Sequence, residues 1–298
     1  MDQAPKKEHK AGFVSIIGRP NVGKSTLMNK LVGENLSIIT AKAQTTRHRI
    51  MGILNGEDFQ IIYSDTPGLL TPKYELHKAM MSFVKVSLED ADLVLLVVEV
   101  GEKLNPLIEE VIRKIDAPTL VIINKIDKSK KEEIDECISY WTSELKSERV
   151  IAVSALKGTK INEVFSLIKT YLPVHPEYFP KDEMTTRSER FFASEIIREK
   201  IFMNYEQEIP YSTEVGIESF KEEDQIIRIR AILFVERDSQ KGILIGKGGS
   251  SLKKTGTEAR KDLEAFFGKK IFLETFVKVA DNWRKQRNKL AQFGYLES

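Results

Sequence analysis

The stretch FVSIIGRPNVGKSTLMNKL, residues 13–31, contains an apolar run, a glycine-bearing turn and an amphipathic segment in direct succession. The run FVSIIG (13–18) reads as a buried strand and the residues after Lys24 as a helix. Gly18 to Ser25, GRPNVGKS, therefore form a strand-to-helix turn with the spacing GxxxxGK[ST]. Glycine is needed there so that backbone N–H groups can turn inward around phosphates, and the helix N-terminus adds partial positive charge. The sequence predicts a phosphate cradle lined by Gly18, Asn21, Val22, Gly23 and Thr26. In it Lys24 reaches the β- and γ-phosphates and the Ser25 hydroxyl holds Mg²⁺. A glycine turn that binds nothing is the plain alternative, and it weakens because the loop does not stand alone.

Asp65 ends a second apolar run, FQIIYSD (59–65), and is followed by Thr66, Pro67 and Gly68. A carboxylate at a strand end can hold a Mg²⁺-bound water, and Gly68 can present its N–H to the γ-phosphate. A solvated turn aspartate would be the better reading of Asp65 alone, but it lies 40 residues after Ser25. Asn124-Lys125-Ile126-Asp127 closes the run TLVIIN (119–124). One carboxylate, Asp127, can accept both N1–H and N2–H of guanine. Adenine offers neither pair on that side and would leave the carboxylate unpaired at a cost of several kcal/mol, so the sequence predicts GTP over ATP. Ser154, Ala155 and Leu156 follow RVIAVS (149–154), where the Ala155 N–H would meet the guanine O6. Four motifs at strand ends place the site on one edge of a parallel sheet. Between them, AKAQTTRHR (41–49) is polar and aperiodic, as a mobile switch requires, and Thr45 or Thr46 could complete a Mg²⁺ shell; an ordinary surface loop is the alternative.

The chain has 298 residues, 41% hydrophobic and 30% charged, with a net charge of +2. That length suggests two domains and that composition a folded chain. One cysteine, Cys137, excludes an intramolecular disulfide framework and fits a reducing compartment, the cytoplasm by default. No apolar run approaches the roughly 20 residues that cross a bilayer, and neither export nor a span is expected. The four histidines lack metal-ligand spacing, so Mg²⁺ is the one metal assigned. Apolar runs alternating with amphipathic segments through the first 170 residues read as an α/β sheet with crossover helices. The segment PVHPEYFPKDEMTT (173–186) holds three prolines and no period. The expected division is a tail at 1–11, a first domain at 12–172, a linker at 173–187 and a second domain at 188–298 with a C-terminal basic helix.

The second domain reads as helix (188–205), two alternating strands (213–220, 226–236), a glycine turn, a helix to Phe267 and a strand (271–279), an α+β unit. Residues 241–290 carry 13 Lys/Arg against 5 Asp/Glu. Gly246-Lys247-Gly248-Gly249 is a GxxG turn flanked by Ile243, Ile245 and Leu252. Two helices meeting there can bring main-chain N–H groups against a phosphodiester backbone beside an apolar groove for unstacked bases. In the next helix Leu252, Ala259, Leu263 and Phe266 form the expected inner face, with Lys253, Lys254, Arg260 and Lys261 mostly outside it; Lys253, Lys254 and Arg260 join Lys247 and the turn as expected RNA contacts. Phe191, Phe192, Ile196 and Ile197 read as core. The tail DNWRKQRNKLAQFGYL could either extend an RNA surface or pack on the domain.

GRPNVGKST, AQTTRHR, DTPG, NKID and SA-x-x-G resemble the Era-like branch of the translation-factor GTPases, and GKGG with its flanks resembles a KH domain of the bacterial type. The likeness covers residues 10–296 and implies a P-loop GTPase domain with a mostly parallel sheet, followed by a smaller type II KH domain. It implies Lys24, Thr46 and Gly68 as the catalytic set, Ser25, Thr46 and Asp65 as Mg²⁺ ligands, and Thr46 over Thr45 because relatives have this threonine before an arginine. It also implies binding to the 3′ end of 16S ribosomal RNA during 30S maturation, with loose attachment to the inner membrane face allowed and no DNA partner. Asn21 resembles an asparagine that helps hold K⁺ beside the phosphates in related enzymes. Leu69 stands where Ras-type enzymes carry glutamine, and since leucine cannot orient water, slow intrinsic turnover is expected. Coupling is expected through the γ-phosphate ordering 41–49. Two rivals remain: a constitutive RNA-binding scaffold with a structural nucleotide site, indifferent to Lys24→Ala, and a membrane-trafficking or division GTPase with an accidental GxxG turn.

Overall fold

The computed structural model describes residues 8–145 and 149–296. These divide into two compact units. The first takes in residues up to Ser37, Thr46–Pro72 and Met80–Thr186; the second takes in Ile38–Thr45, Lys73–Ala79 and residues from Arg187 on.

Six strands build the sheet of the first unit: β1 (Lys10–Ile17), β2 (Ile50–Asn55), β3 (Phe59–Asp65), β4 (Leu93–Glu99), β5 (Thr119–Asn124) and β6 (Val150–Ala152). Their order is β2-β3-β1-β4-β5-β6, parallel throughout except for the antiparallel β2–β3 pair. The helices are α1 (Lys24–Val32), α2 (Glu75–Glu89), α3 (Pro106–Ile112), α4 (Lys131–Leu145) and α5 (Ile161–Tyr171). Ile17, Val94, Leu96, Val98, Val121 and Ile123 pack on one side with Val84, Ile108 and Trp141. Leu93, Leu95, Val97, Leu120 and Ile122 are equally buried, and strand alternation turns them to the other side. Cover on both faces is why these strands are continuously apolar. With β1 central and all but one strand parallel, Gly18, Asp65, Asn124 and Ser154 come to the same edge.

Three expectations change. The first strand begins at Lys10, not Phe13, because Lys10 and Ala11 pair with Phe59 and Gln60, so they leave the expected tail; residues 1–7 of that tail lie outside the described residues. Strand β2 was not read from sequence, since IMGILN is short and holds Gly52. The expected linker is a strap tied to the first unit. Gln60, fully buried, donates from Nε2 to Phe179 O at 2.8 Å and accepts at Oε1 from Tyr178 N and Phe179 N at 2.7 and 3.0 Å. Ile53 N donates to Met184 O at 2.8 Å, and Thr185 Oγ1 to Met51 O at 2.7 Å.

The second unit contains α6 (Glu189–Asn204), α7 (Ile209–Ser212), β7 (Glu214–Glu222), β8 (Ile226–Val235), α8 (Asp238–Ile245), α9 (Ser250–Phe267), β9 (Lys270–Val279) and α10 (Arg287–Gln292). Strand β8 is central, antiparallel to β7 and parallel to β9. Ile227, Ile229, Ala231, Leu233 and Val235 of β8 form a core with Ile197, Ile201, Leu244, Ala259 and Leu263. Burying each large side chain fully contributes about 1.5–3 kcal/mol. Thr255 takes the inner position on α9 that helical spacing gives after Leu252, whereas Phe266, expected inside, is 41% exposed and leans on Phe192. The C-terminal segment packs on the unit: Trp283 and Leu290 are fully buried, and Trp283 Nε1 donates to Ser212 O at 2.8 Å.

Candidate functional site

The turn between β1 and α1 is held from several sides. Gly23 precedes α1 at φ +97°, and a Cβ there would lie 2.3 Å from Asn124 Nδ2, so no side chain fits. Lys24, the first residue of α1, is buried, and its Nζ donates to Gly18 O at 3.2 Å and Arg19 O at 2.9 Å. Burial lowers its pKa to about 8, against the pull of the Asp65 and Glu102 carboxylates. Gly68 abuts the same turn: a Cβ would lie 2.6 Å from Pro20 N. The next residue, Leu69, donates its N–H to Gly18 O at 2.9 Å and turns its side chain into the core at 3% exposure.

Three oxygen-bearing side chains converge beside Lys24. Ser25 Oγ donates to Asp65 Oδ2 at 2.6 Å and lies 2.9 Å from Thr46 Oγ1, which is 3.5 Å from the same carboxylate oxygen. Thr45, the other candidate, faces elsewhere and bonds Thr40 Oγ1 at 2.6 Å and Lys42 O at 2.8 Å. Asp65 is fully buried, and its Oδ1 has no hydrogen-bond partner. Burial pushes its pKa up, opposed by the Lys24 charge and the Ser25, Ser37 and Thr46 hydroxyls. An orphaned carboxylate oxygen within a set of hard oxygen donors suits Mg²⁺.

At the base end, Asn124 Nδ2 donates to Val22 O at 2.9 Å and its Oδ1 accepts from Ala155 N at 3.0 Å. One amide thus ties the phosphate loop to the loop after β6. Lys125, at φ +66°, donates through Nζ to Asn21 O and pairs with Glu99. Ser154 Oγ donates to Asp127 Oδ1 at 2.5 Å and accepts from Lys157 N at 3.1 Å. That hydroxyl holds the Asp127 carboxyl below the usual carboxylate range. Leu156 is 64% exposed beside them, while Thr26 sits one residue further into α1. Glu99 and Glu102 were not read as part of the site, although Glu99 ends β4 on the same edge. Glu102 is half-buried, and burial raises its pKa.

In the second unit, α8 and α9 meet at Gly246–Gly249. Gly248 lies at φ +60° and Gly249 at φ +80°, and a Cβ on Gly246 would strike Ser251 Oγ at 2.2 Å. Lys247, Lys253 and Lys254 are exposed, and Ile243 is 56% exposed. Ile245 is half-buried; Leu252 packs on the core. Arg260 is drawn to Glu264 at 3.0 Å, further along α9. The turn therefore presents an apolar residue, a cation and open main chain together, with Arg260 apart from them.

Residues 13–125 match the family described as "50S ribosome-binding GTPase", and residues 208–284 match the KH domain family. GTPase Era of Staphylococcus haemolyticus (strain JCSC1435) is 42% identical over 294 residues, 97% of this chain and 98% of that protein. A solved structure of Era in complex with MgGDPNP and nucleotides 1506–1542 of 16S ribosomal RNA is similar at 38% identity and TM-score 0.92, covering 97% of this chain and 100% of that one. A variant of Aquifex aeolicus Era bound to GDP and AlF4⁻ is similar with the same identity, coverage and TM-score. With a guanine-nucleotide unit and a KH unit in one chain, and likeness to Era along nearly all of it, the chain belongs to the Era family of GTPases.

Proposed function

We propose that this GTPase binds the 3′ end of small-subunit ribosomal RNA through its KH unit and assists maturation of the 30S subunit. The observation that carries the reading is likeness over 97% of the chain to an Era whose structure holds both MgGDPNP and a 16S ribosomal RNA segment. In this reading the Lys24 ammonium exchanges its bonds to Gly18 O and Arg19 O for phosphate oxygens. Ser25, Thr46 and Asp65 would hold Mg²⁺, which neutralises charge on the phosphates when bound. Gly68 supplies a main-chain N–H at the γ-phosphate. Asp127, oriented by Ser154, accepts the two guanine donors, and Ala155 N–H meets O6. Leu69 is buried and cannot align water, so intrinsic hydrolysis is slow. Asn21 would help seat K⁺, and faster turnover in K⁺ than in Na⁺ at equal ionic strength checks this; equal rates speak against it.

Ile243, Ile245, Leu252 and the Gly246–Gly249 main chain form the single-strand groove, with Lys247, Lys253 and Lys254 at phosphates. The protein works in the cytoplasm. Attachment to the inner membrane face is supported by family likeness alone, and no helix among the described residues is long and apolar enough to cross a membrane. Two variants test the proposal. Lys24→Ala should abolish GTP hydrolysis in a phosphate-release assay. Lys247→Asp with Gly248→Asp should leave hydrolysis intact and remove binding to a 16S 3′-terminal RNA in fluorescence anisotropy. Unchanged RNA affinity in the second variant would contradict the groove assignment.

A further inference from the structure

The sheet of the second unit has two faces, and the sites above use only the helical side. Odd-numbered residues of β8 and β9 point into the core, so even-numbered ones point away from it: Arg228, Arg230, Ile232 and Phe234, and Lys270, Phe272, Glu274, Phe276 and Lys278. The C-terminal segment covers one end of this outer face. Phe293 packs on Phe234 with ring centroids 5.0 Å apart, and Tyr295 Oη donates to Glu214 Oε2 at 2.5 Å. At the other end, among the described residues, no element covers the face. Phe272 is 46% exposed and Phe276 41%, and a solvated sheet face ordinarily carries polar residues there.

The open end has a marked chemistry. Arg228 lies over the Phe272 ring at 5.4 Å and Arg230 over the Phe276 ring at 4.7 Å. Lys221, opposite Arg228 in the β7–β8 register, adds a further cation, as do Lys270 and Lys278. Against these five stand three carboxylates: Glu223 at 3.1 Å from Arg228, Glu274 at 3.8 Å from Arg230, and Glu218 at 3.5 Å from Arg230 and 3.7 Å from Lys278. Every side chain in these pairs is between 43% and 57% exposed, so the pairs are weak and exchange readily for another anion.

We infer that this outer face is a second binding surface for single-stranded RNA, separate from the glycine turn. Bases stack on Phe272 and Phe276 or on the guanidinium planes beside them, and Lys221, Arg228, Arg230, Lys270 and Lys278 meet phosphates. The two rings, four residues apart on one strand, are about 13 Å apart, enough for two bases of one extended chain. Cations in excess with aromatic rings set among them favour a polyanion carrying flat bases over a neutral partner. The inference rests on the unit being an RNA binder, but not on what the glycine turn holds.

The test uses the full chain and anisotropy with two oligouridines, one of roughly 30 nucleotides, able to reach both surfaces, and one of roughly 6, able to fill one. Phe272→Ser with Phe276→Ser should weaken binding of the long RNA at least about tenfold. It should leave GTP hydrolysis and Lys247-dependent binding of the short RNA unchanged. Ultraviolet crosslinking of unmodified protein should attach uridine to the peptide containing Phe272 or Phe276. Arg228→Gln with Arg230→Gln, which keeps the rings, should lower long-RNA affinity as well, and serves if the serine variant fails to fold by circular dichroism. Unchanged long-RNA affinity in folded variants overturns the inference, and if Lys247→Asp with Gly248→Asp still abolishes short-RNA binding, the groove reading survives. Loss only of self-association, or only of binding to phosphatidylglycerol vesicles, also overturns it by assigning the face to a second copy or a lipid surface.

Discussion

In the proposed function Asp127 carries base choice, and its geometry makes that assignment testable. Its carboxylate is fixed on one side by Ser154 Oγ, leaving acceptor capacity for two donors in a plane. Asp127→Asn replaces one acceptor with a donor. GTP affinity should fall about 100-fold or more, as one hydrogen bond to a charged group gives way to two donors facing each other and the other is left on a neutral oxygen. Xanthosine triphosphate, with a carbonyl at C2, should then compete better than GTP in a displacement titration; equal loss for both would refute base reading by this residue. Asn124 and Asp65 were legible because each ends an apolar run, and Asp127 because it follows Asn124 in one motif; strand ends of a parallel sheet converge. The Lys125–Glu99 pair was not, since nothing in sequence links residues on neighbouring strands 26 positions apart. Phe266 was misread because helical periodicity cannot tell which of two adjacent phenylalanines turns inward. Phe267 is the one that packs against the core.

Helix α6 shows what patterning conceals at the scale of an element. Its phenylalanine and isoleucine positions were readable as core, but SEIIREK also looks like a solvated run. In the fold Arg198 is fully buried and binds Glu195 through both carboxylate oxygens, Nε at 2.7 Å and Nη2 at 2.5 Å. Burial opposes the charge, yet Glu195 beside it holds the guanidinium pKa above its ordinary value. Glu195→Ala leaves that cation buried without its partner and should cost about 3–5 kcal/mol. Glu195→Leu with Arg198→Leu should cost less than the single change, read by thermal or urea melts. Strand β2 was illegible for a different reason: Gly52 interrupts its apolar run, and the strand follows the polar stretch 41–49. The sheet order itself was readable only as a class, since motif order fixes which ends meet but not which strands are neighbours.

For the whole molecule, the segment from Ile38 to Thr46 is where the chain leaves one unit for the other. Residues 38–45 belong to the second unit, where Ile39 N donates to Glu199 Oε1 at 3.1 Å and Lys42 Nζ to Tyr205 O. Thr46, the next residue, lies with Ser25 and Asp65 in the first. Under the proposed function, coupling is expected to run along this segment, from a ligand that moves Thr46 to residues anchored in the KH unit. RNA affinity measured with GDPNP and with GDP should differ about fivefold or more. Identical affinities would sever the two functions. The strap at residues 173–186 has a consequence of another kind. β2 is the rim of its sheet, and Met184 and Thr185 satisfy main-chain groups there that would otherwise face water. A gene fragment cut at codon 172, where composition invites the cut, would bare that rim as a template for foreign strands. The proline-rich run is a guard against clumping that belongs with whichever piece carries the guanine site.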